Sequence, residues 1–360
     1  MLEAFGALVH SLWYMKVTDG LVEAVLASPL GVSWLAVLEA GLPDDEGWPS
    51  TSPVADPSSI ASAVDRIGEM SFGSLMRAAV FAGVMESGPW MPNAPAKIAS
   101  AYRQAERRAP IAEAVAARFG EQLHAPLDPG LQQWFSDGSP GIETIAPLFR
   151  NFDDVYGAGE FPWAGLWTAT DPPPEAILEM VGAWEFEAGP ITRWWMPVRP
   201  EARVFEIHRP QDWARLVTSH PRPAVAHPGW ELPGINQHQA EVSPLLALPE
   251  QRATRLSIRH HVVPDWQAVA DQYDAIHLSW AGFITSEGCI VDLGDGDVTM
   301  LRYWFSEHTT WLADVFGQPS SAPDTHINLA TGNHWPPLPP RTTVDSNLIV
   351  RLLGRPPSTG

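Results

Sequence analysis

The sequence is poor in cysteine and in long apolar runs. Cys289 is the only cysteine among 360 residues, and a single thiol excludes an intramolecular disulfide framework. No apolar run reaches the roughly 18 residues that a membrane-spanning helix needs. The first residues, MLEAFGALVHSLWYMKV, lack a basic start and carry Glu3, so they predict an amphipathic helix and not a signal peptide. We therefore expect a cytoplasmic protein without a membrane partner.

Basic residues are also scarce. The chain has 22 of them against 42 acidic residues, which gives a net charge of −20, and only Lys16 and Lys97 are lysines. A surface this acidic repels phosphate backbones, and this excludes non-specific nucleic-acid binding. The other basic residues are arginines, which suit the binding of an anionic small molecule. Abundant arginine, alanine and proline indicate a bacterial-like composition.

The sequence lacks the short motifs by which many enzymes and metal sites are identified. It has no GxxxxGK[ST], no GxGxxG after a strand, no HExxH, no CxxC and no EF-hand loop. The glycines of GDGD at 294–297 could cradle a phosphate, but a hairpin turn explains this stretch better, because Asp-Gly favours positive φ. The twelve histidines, among them the adjacent His260 and His261, match no spacing of metal ligands. We predict no metal site.

Helical spacing of apolar residues dominates the first 150 residues. It predicts helices up to residue 40, from about 58 to 87 and from about 97 to 123, and it continues weakly to Arg150. Loops rich in proline interrupt this pattern, beginning with the acidic stretch 41–59. We therefore predict a helical domain over 1–150.

The amino-acid composition and the hydrophobic pattern change after residue 150. Residues 151–190 are rich in glycine, proline and tryptophan, and within them 174–184 predicts one helix. Beyond this connector, a strand-rich α+β domain is predicted over 191–360. Its strand patterns are ITRWWMPV, ARVFEIH, DAIHLSWAGFI, CIVDL, DVTMLRYWF and NLIVRLL.

Two short helices are expected among these strands. Pro210-Gln211-Asp212-Trp213 and Pro264-Asp265-Trp266 begin alike, with Asp as a cap or first-turn acid and Trp as an anchor to the sheet. A βαβαβ alternation is missing, so a doubly wound sheet is not expected. The predicted fold class is α+β, with an all-helical N-terminal half and a mostly antiparallel, strand-rich C-terminal half with short helices.

Ser279 lies in HLSWAG, which partly matches the G-x-S-x-G nucleophile elbow. His277 replaces the first glycine, and the second glycine comes one residue late. The elbow also needs a helix after the serine. AGFITSEGCIVDL predicts strand and turn instead, and this places Ser279 in the middle of a strand and disfavours a hydrolase.

Seventeen tryptophans are unusually many for this length. Most are expected to anchor the core, but Trp280 and Trp304 stand beside polar residues and could stack on a planar ligand. The most aromatic stretch, MLRYWFSEHTTWL, also contains Glu307. A carboxylate in such surroundings is either a solvated helix cap or first-turn acid, or a tuned functional acid.

Three candidate residues follow one another in the order Arg, Ser, Glu. Arg203 stands at the start of one strand pattern, Ser279 in a later one and Glu307 after a third. Over residues 190–320 this order resembles the Arg-Ser-Glu signature of ADP-ribosyltransferases. The family usually has Ser-Thr-Ser where this chain has Ser279-Trp280-Ala281. It often has Glu or Gln two residues before the catalytic Glu, at the position of Phe305.

The resemblance implies an enzyme that consumes NAD as a substrate. Glu307 would stabilise the oxocarbenium-like charge on the ribose, as glycosidase carboxylates do. Arg203 would clamp the diphosphate, Ser279 would position the ribose, and Trp280 or Trp304 would stack on nicotinamide. Such a transferase or glycohydrolase would meet a small-molecule nucleotide or a protein acceptor. The alternative is an acidic, tryptophan-rich, non-catalytic protein that binds or inhibits a basic protein partner.

Overall fold

The structure is a computed structural model. It describes residues 20–41, 57–83, 94–136, 149, 151–152, 159–162, 165–170, 190–224, 260–321 and 327–328. The predicted helices at 1–19 and 174–184 and the predicted strand NLIVRLL lie outside these residues. Helices and mixed sheets are both present, so the α+β class is confirmed.

Helices fill the described part of the chain up to residue 123. They are α1 (Leu21–Ala27), α2 (Pro29–Ala40), α3 (Pro57–Glu69), α4 (Phe72–Phe81), α5 (Ala94–Tyr102), a 3₁₀ turn (Glu106–Arg108) and α6 (Ala109–Leu123). α1 and α2 meet at 96°, and only this bent pair has the length and apolar composition of a membrane span; no described helix has both alone.

Serine and proline residues set these helix boundaries. Pro29 begins α2, and the Ser28 hydroxyl before it accepts a hydrogen bond from the Gly31 N–H at 3.0 Å. Ser71 caps α4 in the same way, through the N–H of Ser74. The helix predicted over 58–87 is therefore two helices, because a serine that accepts from the backbone favours a new helix start.

The first strand lies within the N-terminal half. β1 (Gln132–Ser136) follows the loop after α6, so the expectations of weak helical spacing up to residue 150 and of an all-helical half are wrong at these residues. β1 pairs with two later strands. Long-range pairing to a sheet thus outweighs the local pattern.

The described strands after β1 form two sheets. They are β2 (Leu166–Thr170), β3 (Pro190–Trp195), β4 (Val204–Ile207), β5 (Pro221–Pro223), β6 (His260–Pro264), β7 (Ala275–Leu278), β8 (Ile290–Gly294), β9 (Asp297–Met300), β10 (His308–Trp311), β11 (Ser320–Ser321) and β12 (Ile327–Asn328). The large sheet has the order β11-β3-β1-β2-β10-β7-β4, with β12 also on β3, and the small one is β5-β6-β9-β8. Pairing in the described sheets is mostly antiparallel; β4 with β7 and β6 with β9 are parallel.

The predicted GDGD hairpin is confirmed. β8 and β9 pair antiparallel around Asp295 and Gly296, and both turn residues have positive φ, 55° and 87°. This is the two-residue turn that Asp-Gly favours, because its backbone twist matches that of the strands.

Three short helices lie between the strands: α7 (Pro210–Ser219), α8 (Trp266–Gln272) and α9 (Trp280–Ser286). The first two were expected. Asp265 caps α8 by accepting from two backbone N–H groups, while Asp212 lies in the first turn of α7. Trp213 and Trp266 are buried, as anchors between helix and sheet should be.

Helices of the first half and α9 share one core. Buried residues of α2 and α4 belong to the same apolar cluster as Phe283 and Ile284 of α9, and the Ser28 hydroxyl donates to the Ile284 carbonyl at 2.9 Å. The boundaries at 150 and 190 remain predictions. The large sheet, one face of which joins this core, carries the candidate site.

Candidate functional site

One face of the large sheet is half apolar and half polar. Side chains alternate between the two faces of a strand, so Val204 and Glu206 share a face on β4, as Ala275 and His277 do on β7. The apolar end belongs to a small core cluster with Leu166, Trp311 and Met196. The polar end is a row across five strands, and it consists of Glu206, His277, Glu307, Thr309, Thr168, Thr170 and Gln132.

His277 is held between two carboxylates in this row. Its Nδ1 lies 2.5 Å from Oε2 of Glu206, and its Nε2 lies 3.2 Å from Oε1 of Glu307. The second carboxylate oxygen of Glu307 accepts from the Thr170 N–H at 3.2 Å. The side chains of His277 and Glu307 are 2% and 3% exposed, whereas that of Glu206 is 27% exposed. The three residues therefore form a chain from the buried sheet to solvent.

The two carboxylates hold a proton on His277. Burial lowers the pKa of this imidazole, but hydrogen bonds to Glu206 and Glu307 and their charges outweigh burial and raise it to about 9. Burial likewise raises the pKa of Glu206, yet the hydrogen bond from His277 and its charge lower it below the ordinary value. At neutral pH the pair is thus an imidazolium beside an ionised, partly exposed carboxylate.

His208 lies at the solvent end of the chain, two residues after Glu206. Its Nδ1 is 2.9 Å from the Ser279 hydroxyl, and its Nε2 is 3.8 Å from Oε2 of Glu206. Burial lowers the pKa of His208, an effect larger than the attraction of Glu206. This half-buried imidazole is therefore neutral at pH 7 and can accept a proton.

Ser279 is at the N-terminus of a helix and not in the middle of a strand. Its hydroxyl caps α9 by accepting from the Gly282 N–H at 3.1 Å. The strand predicted directly after Ser279 is wrong at residues 280–286, which form α9. This helix is buried on all sides and so lacks the polar face that marks a helix. The strand predicted from CIVDL is present as β8. The order strand, serine, helix does match a nucleophile elbow, but Ser279 is fully buried, with an extended backbone at φ −69°.

Glu307 neither caps a helix nor begins one. It directly precedes β10, with its carboxylate turned inward to His277. Of the two alternatives for Glu307, the solvated helix cap or first-turn acid is therefore wrong. The preceding segment bends through positive φ at Tyr303 and Phe305. Ser279 and Glu307 lie side by side, just beyond the pair formed by Leu278 and His308.

Arg203 lies at the other end of these strands. It precedes β4 and is bound by two hydrogen bonds from its guanidinium to the carboxylate of Asp274, at 2.8 and 3.1 Å. Five residues of strand separate this level from Glu307, which corresponds to about 16 Å. Of the predicted Arg, Ser and Glu, the structure brings together Ser279 and Glu307.

Both predicted stacking tryptophans are buried. The indole of Trp304 stacks on the His308 imidazole, with ring centres 4.7 Å apart and an angle of 14° between planes. Trp280 begins α9 and contacts Phe283 edge to face. Each ring already has an aromatic neighbour inside the protein, so neither is presented at the surface as a platform.

The residues that the sequence did not reveal are Glu206, His208 and His277. A weak signal was present, because Glu206 and His208 are two positions apart at the end of one strand, as are His277 and Ser279 at the end of another. Such spacing puts polar side chains on one face. Only the parallel pairing of β4 with β7 brings the two pairs together.

Within the described ranges, no group of three or more His, Cys, Asp or Glu side chains is arranged to hold a metal ion. Comparison with protein families, with curated proteins and with solved structures finds no match to the chain. Fold and site define an α+β protein with a buried Glu-His-Glu chain that reaches solvent at Glu206. Its function has to be argued from that chemistry.

Proposed function

We propose that the protein is an enzyme whose acid–base group is the chain of Glu206, His277 and Glu307. The observation that carries this proposal is the charged imidazole held in the sheet between two carboxylates, one of which reaches solvent beside a neutral histidine. Strongly shifted pKa values with a specific charge partner are typical of catalytic sites. A buried ion group also costs desolvation free energy that apolar side chains would not, and a role in catalysis would account for its presence.

The proposed substrate is NAD, because the order of Arg203, Ser279 and Glu307 along the chain resembles the Arg-Ser-Glu signature. Arg203 is bound to Asp274 at the far end of β4 and has no part in the proposed site. Because Glu307 is buried, we assign the contact with the sugar to Glu206 and not to Glu307. As the nicotinamide–ribose bond breaks, its electron pair leaves with the ring nitrogen, and a cation develops on the sugar. The ionised Glu206 stabilises that charge. Water or an acceptor hydroxyl then adds to the sugar, and its proton passes to His208.

In this scheme Glu307 is a positioning residue. Its charge keeps the proton on His277, and the resulting imidazolium orients the carboxylate of Glu206 through a 2.5 Å hydrogen bond. The reaction would take place in the cytoplasm, as the single cysteine suggests.

The test is nicotinamide release from NAD by the purified protein. Glu206→Gln should lower turnover at least about a hundredfold, because it removes the charge that faces the cation. Glu307→Gln should change the pH dependence of turnover, since His277 then holds its proton less firmly. Arg203→Ala is the matched control and should leave turnover near wild type, because Arg203 binds Asp274 at the far end of β4.

Two outcomes would contradict the proposal. Wild-type protein that releases no nicotinamide, with water or with a panel of acceptors, rules out NAD as the substrate. Turnover that depends on Arg203 more than on Glu206 would instead place the reaction at the opposite end of the strands.

A second candidate is an acidic binding protein for a basic protein partner. The net charge of −20 favours it. Glu307 and Trp304 also have partners inside the protein and so do not contact a substrate at the surface, as a non-catalytic protein would allow. Binding to purified basic proteins should weaken steeply as salt rises to about 1 M, where charges are screened within about 3 Å. Affinity that does not change with salt would exclude this charge-driven mode.

A further inference from the structure

The opposite face of the large sheet has polar side chains within an apolar core. His308 and Thr310 of β10 point to this face, while Thr309 between them points to the Glu-His-Glu chain. The pairing of Thr309 with Thr168 places His308 beside Ala169, and Ala169 pairs with Gln133 of β1. His308 and Gln133 thus stand about 10 Å apart on either side of a short alanine.

Several polar atoms on this face have no hydrogen-bond partner. They are Nε2 of His308, Oγ1 of Thr310, both amide atoms of Gln133 and Nε1 of Trp304, and all four side chains are at most 3% exposed. A buried polar atom without a partner costs about 1–3 kcal/mol. Four such side chains on one face indicate that something else supplies their hydrogen bonds.

His308 contributes an acceptor to this group. Burial lowers its pKa to about 3, although hydrogen bonds from the ring to the backbone of Ser306 and Trp304 act to raise it. Because Nε2 has no partner, those bonds involve Nδ1, which therefore carries the proton. Nε2 is left with a lone pair. Trp304 adds a donor, and Thr310 and Gln133 can both donate and accept.

Three aromatic rings surround the imidazole of His308. Trp304 stacks on His308, and Phe161 and Trp167 have their ring centres 5.1 and 5.8 Å from the imidazole. Trp167 is half-buried, whereas Phe161 and Trp304 are fully buried. Solvent therefore reaches this group of side chains from the side of Trp167.

We propose that this face binds a small, uncharged, planar ring that carries amide-type donors and acceptors, as nicotinamide and uracil do. The named side chains supply hydrogen bonds of both kinds and aromatic surface, and they carry no charge at neutral pH. The site does not rest on the reaction proposed above, because it lies on the other face of the sheet from Glu206 and His277.

The test is a titration of the full chain with nicotinamide, benzamide and uracil, and with benzoate as a charged analogue. Tryptophan fluorescence and the melting temperature report binding. We expect saturable quenching and a rise in melting temperature with at least one neutral compound, and not with benzoate. Thr310→Val keeps the shape of the side chain and should weaken that binding about tenfold, the loss of one hydrogen bond.

Thr309→Val is the matched control. Thr309 is the next residue on β10, and its hydroxyl is also buried without a partner, but it points to the other face. It should leave affinity unchanged, and Gln133→Leu, from a second strand, should weaken affinity as Thr310→Val does. The proposal is overturned if none of the neutral compounds binds, or if Thr309→Val weakens binding as much as Thr310→Val.

Discussion

At the scale of single residues, the most informative group is the His277 imidazolium. A charged side chain is hard to bury, yet this one is stable because each ring nitrogen meets a carboxylate. Removing either partner would leave the other charges in a poorly solvated place. The protonation state of His277 is thus linked to the stability of the whole fold.

The free energy of unfolding should fall as the pH rises from about 6.5 to 9. Unfolded chains release a histidine proton near pH 6.5, whereas folded His277 holds it up to about 9. The stabilisation is complete below pH 6.5 and is lost as the pH passes the folded value, by at most about 1.4 kcal/mol per pH unit. Urea unfolding at several pH values measures this slope.

His277→Gln serves as the control for that slope. The variant should be less stable at pH 6.5 and should respond less to pH between 6.5 and 9. The neutral histidines His261 and His308, with pKa values of about 3, act in the other direction, since their contribution is lost as the pH falls below 6.5. An equal slope in variant and wild type would show that His277 is not the titrating group.

At the scale of elements, the passage from β7 through Ser279 into α9 depends on a close approach. A Cβ on Gly282 would lie 2.1 Å from the carbonyl oxygen of Ile207 on β4. Only glycine allows the first turn of α9 to lie against that strand. The glycine of HLSWAG therefore has a packing role, and it helps to hold the serine cap beside His208.

Gly282→Ala should destabilise the protein by more than about 2 kcal/mol, because the methyl group meets backbone that cannot move away alone. Gly120 in α6 is a matched control: it is also helical, and nothing lies within 4 Å of a Cβ built on it. Gly120→Ala should be stabilising by about 0.5–1 kcal/mol. Urea unfolding of both variants separates backbone crowding from helix propensity, and equal effects would contradict the close approach.

At the scale of the whole molecule, the main core joins early helices to late ones. Leu30 and Trp34 of α2 and Phe81 of α4 share an apolar cluster with Phe283 of α9. Gly83, just after α4, lies so near Phe283 that a Cβ there would be 3.1 Å from the ring. The helical part cannot lose these contacts without exposing the strand-rich part.

Helix and tryptophan signals should therefore disappear together during unfolding. Circular dichroism at 222 nm and tryptophan fluorescence should give the same midpoint in urea, as expected for one cooperative unit. Phe283→Ala should lower both midpoints equally, at a cost of about 3–5 kcal/mol. Two separate transitions would instead support independent units divided near residues 150 and 190.

The sequence predicted local structure better than the site. The Asp295-Gly296 turn and the Asp265 cap were predicted correctly, because each depends on a few neighbouring residues. α9 was missed because a helix that is buried all round has no polar face. Glu206 and Glu307 are about a hundred positions apart, and their common contact with His277 depends on strand order, which local patterns do not contain.

The hydrogen bond from Ser28 to Ile284 spans 256 residues of chain. On a ribosome adding about 5–20 residues per second, the N-terminal helices wait roughly 13 to 50 s for the segment that covers them. During that delay Leu30 and Trp34 lack part of their final apolar surroundings. Until that segment is made, the N-terminal helices therefore expose apolar surface of the kind that favours aggregation.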